Sequence, residues 1–231
     1  PTHFLLNALL YRQMKLSVII VSYNVKYFLE QRLYSVLQAV RHTDAEILVT
    51  DNNSTDRTLE YLRPLFPNIT YNINKENLGF GKANNIALQQ ARGEYILFLN
   101  PDTLVPEDCF MKCIAFMEAH PMAGALGIRM LDGKGNFLAE SKRSFPATAT
   151  AFYKLSGLAG LFPRSKTFNK YSLGHLDQHK DHRVEVLAGA FMMVRKSVLD
   201  TVGAFDERFF MYGEDIDLSY RIVQAGYENW Y

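Results

Sequence analysis

Residues Leu16-Ser17-Val18-Ile19-Ile20-Val21-Ser22 form an apolar, β-branched run, the pattern of a strand covered on both faces rather than on one. A helical stretch over about 27–40 follows, and 46–50 repeats the buried-strand pattern. Next come a helix over about 55–62, a weaker strand over 69–73 and a Gly-rich turn opening a helix to 91. A fourth strand over 95–99 leads to a helix over 106–119, whose Pro106 suits a first helical position. This alternation predicts an α/β fold with a mostly parallel sheet flanked by helices. In such sheets ligands bind beyond the carboxyl ends of the strands.

The pattern changes after 120. Gly124, Gly127, Gly133 and Gly135 surround short apolar runs that read as a strand and a turn at Asp132-Gly133. Residues 141–182 mix Lys, Arg and His with Phe and Tyr at no clean period, which predicts a mobile or substrate-covering insertion. Strand-like sequence over 184–194, a helix over 196–202 and a helix over about 214–225 closed by Gly226 complete the chain. With no repeat and no low-complexity linker, 14–231 reads as a single domain, preceded by an extension over 1–13. The end at Trp230-Tyr231 reads as a truncation, because a strand is just starting there. The apolar stretch over 4–10 is far shorter than the roughly 20 residues of a membrane span, and no basic residues or cleavage site make it a signal peptide.

Composition narrows the function classes. The chain has 231 residues, 48% hydrophobic and 21% charged, which describes a globular protein able to bury a sizeable core. Lys plus Arg is 25 against 24 for Asp plus Glu, a net charge of +1 that argues against a nucleic-acid partner held by charge. Cys109 and Cys113, the two cysteines, lack further ligands at metal-site spacing and are expected as reduced thiols.

Chemistry collects at the predicted strand ends. They carry Ser22-Tyr23-Asn24, Asp51-Asn52-Asn53-Ser54-Thr55-Asp56, Asn77-Leu78-Gly79-Phe80-Gly81 and Asn100-Pro101-Asp102. Each alone is ordinary turn or helix-cap sequence. Their succession at consecutive strand ends makes the rim of a pocket. Gly79-Phe80-Gly81 begins like a dinucleotide fingerprint, but Asn84 stands where its third glycine belongs and the motif opens the third unit instead of the first. No GxxxxGK[ST] loop occurs.

Those segments together with Gly213-Glu214-Asp215 resemble the family 2 inverting glycosyltransferases, in particular their bacterial rhamnosyltransferase-like branch, from about Lys15 to the last residue. The resemblance implies the GT-A nucleotide-diphospho-sugar transferase fold. It implies a nucleoside diphosphate sugar donor, UDP or dTDP ahead of GDP, and a glycan or lipid-linked acceptor in envelope polysaccharide synthesis. The setting it implies is the cytoplasm or the inner face of the membrane, with peripheral membrane association. By this likeness Asp51 takes the N3–H of a uracil or thymine, with Ser22, Tyr23 and Asn24 beside the base and Asn77 and Asn100 in the donor site. Asn84 lies near the diphosphate where many relatives have an Arg, leaving Lys82 to add charge, while Gly189 and Ala190 leave room for the sugar. Glu214 joins the donor site, and Asp215 is the general base.

An Mg²⁺ or Mn²⁺ ion is expected on Asp102, because Asn100 replaces the first carboxylate of the usual Asp-x-Asp sequence. A helix N-terminus lowers the pKa of such a base and nearby phosphate raises it. The basic residues from Arg143 to Arg183, among them Lys154, Arg164, Lys166, Lys170 and Lys180, read either as contacts to a phosphate-bearing acceptor or as a solvated loop. Two other functions remain open on sequence alone. One is a non-catalytic nucleotide-sugar-binding subunit. The other is a nucleotidyltransferase, against which stands the lack of a Gly-rich, Arg-containing loop after the first strand.

Overall fold

A computed structural model describes residues 14–146, 161–162, 165–167 and 169–231. The expected extension over 1–13 and the basic residues Lys154 and Arg164 lie outside them. The elements are β1 (Leu16–Ser22), α1 (Lys26–Ala39), β2 (Ala45–Asp51), α2 (Thr58–Leu65), β3 (Thr70–Ile73), α3 (Phe80–Leu88), β4 (Tyr95–Leu99), α4 (Cys109–Ala119) and β5 (Ala123–Leu126). A 3₁₀ turn (Ala139–Ser141) then leads to β6 (Lys142–Arg143), β7 (Arg183–Val184), β8 (Val186–Leu187), β9 (Phe191–Arg195), α5 (Lys196–Val202), α6 (Glu214–Gln224) and β10 (Glu228–Trp230).

The main sheet has eight strands in the order β3-β2-β1-β4-β9-β5-β10-β7. β1 is wholly buried and pairs in parallel with β2 and β4. Its unbroken apolar run follows from helices on both sides. Val18 and Ile20 face a core shared with Leu29, Leu33 and Val36 of α1, Leu62 of α2 and Phe110 and Met117 of α4. Ile19 faces the opposite core, with Ala87 of α3, Val198 of α5 and Leu218 and Ile222 of α6. Cys109 and Cys113 are free and buried on α4. Among the described residues no helix is long and apolar enough to cross a membrane.

Three local expectations are corrected. Helix α2 starts at Thr58 and not at 55, because the Asp56 carboxylate accepts the Thr58 N–H and hydroxyl and Arg57 is left-handed at φ 62°. Pro106 precedes α4, its carbonyl accepting the Cys109 N–H in a turn before the helix begins. The strand expected over 184–194 is three short strands, and β9 lies antiparallel between β4 and β5 while β8 pairs with β6 in a separate two-stranded sheet. The break falls at Ala188-Gly189-Ala190, so that this segment turns across the mouth of the sheet.

Candidate active site

From β1 the chain steps outward to β2 and β3, then returns to lay β4 on the other side of β1. That reversal opens a crevice at the carboxyl ends of β1 and β4. A cleft of about 600 Å³ occupies it, lined by Tyr23, Asn77, Asn100, Asp102, Gly189, Ala190, Glu214 and Asp215. These come from five separate stretches of chain.

The wall after β1 and β2 is a network of asparagines. Asn52 is almost fully buried and uses all of its side chain: its amide donates to Asn77 Oδ1 (2.7 Å) and to the Gly79 carbonyl (3.1 Å), and its oxygen accepts from Asn74 Nδ2 and the Leu78 N–H (both 3.0 Å). One residue thereby fixes the turn leading into α3. Asn24, left-handed at φ 54°, accepts the Thr55 N–H at 2.7 Å and ties the loop after β1 to that after β2. Asp51 is buried, with Oδ2 accepting the Ser54 N–H at 3.0 Å and Oδ1 without a partner. A buried carboxylate oxygen lacking a donor is costly until one arrives.

The turn Gly79-Phe80-Gly81 owes its glycines to close approach. Gly79 has φ 80° and ψ −178°, and the Phe80 N–H donates to the Phe210 carbonyl at 2.8 Å. The segment before α6 thus leans on the start of α3, and Phe210, Met211 and Tyr212 form one lip of the cleft.

Beneath the other wall lies Arg32 of α1, completely buried, whose Nε donates to the Asn100 carbonyl at 3.2 Å. Its Nη2 has no partner, and burial pulls the guanidinium pKa down to about 10, opposed by the charge of Asp102. That cost is fully present below about pH 10 and is relieved only above it, since the folded value is the depressed one. Replacing buried ionic groups by well-packed apolar side chains of similar volume is often neutral or stabilising. Arg32→Met is therefore expected to hold or raise the urea midpoint, by up to about 1 kcal/mol in unfolding free energy. A lowered midpoint would show that the bond to Asn100 outweighs the burial cost.

Asp215 stands in the first turn of α6 with Glu214 and Asp217, where the helix dipole favours carboxylates. Its Oδ2 accepts from Arg143 Nη2 at 2.5 Å and from the Gly189 N–H at 3.2 Å, and its Oδ1 accepts from the Ile216 N–H at 2.8 Å. Burial pushes the Glu214 carboxyl above its usual range, the neighbouring Asp215 charge adds to this, and its Oε2 has no partner. Asp102, Glu140, Glu214 and Asp215 face the cleft with Arg143 as the one cation among the described lining residues. Such a surface repels a bare diphosphate and accepts one that carries a cation. No group of three or more His, Cys, Asp or Glu among the described residues could hold a metal by itself. The exposed carboxylate of Asp102 at the cleft fits an Mg²⁺ or Mn²⁺ whose other ligands are phosphate oxygens and water.

Four of the sequence-predicted residues do not line the cleft. Ser22 is buried behind it, its carbonyl accepting the Asn52 N–H at 2.7 Å. Asn24 and Asp51 brace and back the wall. Asn84 is a correction: it is buried and its amide turns back to the Phe80 carbonyl at 2.9 Å, inside α3 and away from the cleft. Asn52, Arg32 and the pairing of Arg143 with Asp215 escaped the sequence reading. Arg32 had left a signal, a charge on the apolar stripe of Leu29, Leu33 and Val36.

The family model for glycosyl transferase family 2 matches residues 17–203, ending before Asp215. The N-acetylglucosaminyl-diphospho-decaprenol L-rhamnosyltransferase of Mycobacterium tuberculosis is 30% identical over 223 residues, covering 92% of this chain and 71% of that protein. Rhamnosyltransferase WbbL of Escherichia coli is 30% identical over 216 residues, covering 90% of this chain and 77% of its own length. Among solved structures, Staphylococcus aureus TarS 1–349 in complex with UDP superposes with a TM-score of 0.60 at 25% identity, over 89% of this chain and 54% of that one. A mannosyltransferase from Pyrobaculum calidifontis, in complex with GDP-Man and Mn²⁺, shares the fold with a TM-score of 0.63 at 19% identity, over 93% of this chain and 53% of that one. The chain spans about half the length of these two solved structures. Both neighbours have the GT-A fold expected from the sequence.

Proposed function

Because the chain belongs to glycosyl transferase family 2, we propose that it transfers a sugar, with inversion, from a nucleoside diphosphate donor to a glycan or lipid-linked acceptor of the cell envelope. The observation that carries this reading is a single cleft with Asp102 on one side and, on the other, Asp215 at a helix N-terminus. The acceptor oxygen bonds to the anomeric carbon as the bond to the diphosphate oxygen breaks. The acceptor proton passes to Asp215, and the nucleoside diphosphate leaves with the bonding electrons. A divalent cation held by Asp102 would neutralise the charge developing on that leaving group. Tyr23, about half exposed at the cleft, offers a face for the base. Asp51 stands behind that wall, and its partnerless Oδ1 would take the N3–H of a pyrimidine that reached past it. The small segment Gly189-Ala190 leaves space for the sugar between base and metal side. The relatives' printed names support a rhamnosyl donor and a diphospho-lipid acceptor. A nucleotide-sugar donor and a lipid-linked acceptor would meet at the cytoplasmic face of the membrane, which supports that setting for the reaction. The domain is read as 14–231.

Calorimetric titration of UDP, dTDP and GDP with Mn²⁺ tests the donor site. UDP or dTDP is expected to bind more tightly than GDP, and Asp51→Ala to weaken pyrimidine nucleotides by about 10- to 100-fold, the worth of a hydrogen bond to a charged group. If no nucleotide bound with or without Mn²⁺, the donor-site reading would be wrong.

A further inference from the structure

We propose that Arg143 is the positioning residue for Asp215: together with the Gly189 N–H it occupies Oδ2 and fixes the carboxylate's rotamer, leaving Oδ1 to receive the acceptor proton. This rests on the reading of Asp215 as the base and goes beyond it.

The Arg143 backbone is fixed by its pairing in β6 with Val186 of β8. From there its Nη2 reaches the Leu187 carbonyl at 2.9 Å and Asp215 Oδ2 at 2.5 Å. Both side chains of the pair are only 14% exposed, so solvent screens their attraction weakly. Carboxylate oxygens have two acceptor sites each. Oδ2 spends both, on Arg143 and Gly189, whereas Oδ1 spends one on the Ile216 N–H and keeps one free. The rotamer that satisfies these three donors is therefore the rotamer that presents Oδ1 for proton transfer.

Electrostatics points the same way. The charged and titratable groups around the carboxylate are Glu214 on its own helix, Glu140 of the 3₁₀ turn, Asp102 after β4, Tyr212 before α6 and Arg143 on β6. A side-chain hydrogen bond with Tyr171 also favours the Arg143 guanidinium charge. Burial disfavours the guanidinium charge, yet the Asp215 carboxylate beside it holds its pKa above the ordinary value. Three other carboxylates line the cleft, Arg143 is the one cation among its described lining residues, and Asp215 is the carboxylate that Arg143 pairs with.

The test separates positioning from binding. In Arg143→Met, turnover with nucleotide-sugar donor and a synthetic N-acetylglucosaminyl-diphospho-lipid acceptor is expected to fall by about 10- to 100-fold, the cost of a misplaced catalytic group, with a much smaller change in the donor KM. Arg143→Lys is expected to recover much of the lost turnover. If Arg143→Met does not fold, Arg143→Gln carries the same comparison. Unchanged turnover, or a loss confined to KM, overturns the proposal. Normal turnover by Asp215→Asn would instead overturn the base, so the two readings fail by different results.

Discussion

Asp215→Asn is expected to lower turnover by about 10²- to 10⁴-fold, the span that a positioned proton acceptor contributes. The substitution keeps shape and volume. The amide oxygen can still accept from Arg143 and Gly189, which puts the amide NH₂ where Oδ1 now stands. An NH₂ group there donates toward the acceptor hydroxyl and cannot take its proton. On the proposed reading nucleotide binding rests on Tyr23, Asn77 and Asp102 of the same cleft, and should be unchanged. The measurement is nucleoside diphosphate release under saturating donor, with dTDP-rhamnose and UDP sugars as donors and a synthetic N-acetylglucosaminyl-diphospho-lipid as acceptor. Equal turnover by the variant would remove Asp215 from the chemistry. A loss confined to KM would make it a binding residue.

Gly79→Ala should be strongly disruptive for a single methyl. At φ 80° and ψ −178° the backbone lies in a region essentially reserved for glycine. A methyl group there would run into the Phe210 carbonyl and ring, which cannot retreat without breaking the bond from the Phe80 N–H. Backbone strain plus the lost hydrogen bond amount to about 3 kcal/mol. Urea unfolding should show the midpoint fall accordingly, and the lip of Phe210, Met211 and Tyr212 should be displaced from the cleft. Gly133→Ala is the control, because nothing lies within 4 Å of the added carbon. If the two variants unfolded alike, the contact between the start of α3 and the segment before α6 would not be structural.

Much of this architecture is written in local patterns. Strands buried on both faces need no alternation, so β1, β2 and β4 stand out as continuous apolar runs, and their polar ends follow from the geometry of a parallel sheet. Where the outcome depends on pairing between distant segments, sequence is silent. Nothing in Phe191-Met192-Met193-Val194-Arg195 says that it lies antiparallel between β4 and β5. Motif position likewise places a residue near a site without giving its direction. Asn84 occupies the expected helix, but its amide bonds back to the Phe80 carbonyl four residues earlier. Asn52 reads as one more polar residue in a turn, and only the folded loop shows that it satisfies four backbone and side-chain groups at once. Arg143 lies 72 residues from Asp215, and β6–β8 pairing brings them together.

The antiparallel strand has one more consequence. Leu99 is in register with Phe191, the Asn100 N–H donates to the Ala190 carbonyl at 3.0 Å, and the Gly189 N–H donates to Asp215. The stretch Ala188-Gly189-Ala190 therefore acts as a ruler. Ala190 is tied to Asn100, two residues before Asp102, and the adjoining Gly189 is tied to Asp215. On the proposed reading, the gap that a sugar ring would occupy between leaving group and incoming oxygen follows from the alignment of two neighbouring strands and not from the reach of surface loops. Loops around the rim can change length or composition, admitting a different acceptor, without altering that span. A one-residue slip of β9 against β4 would change it at once.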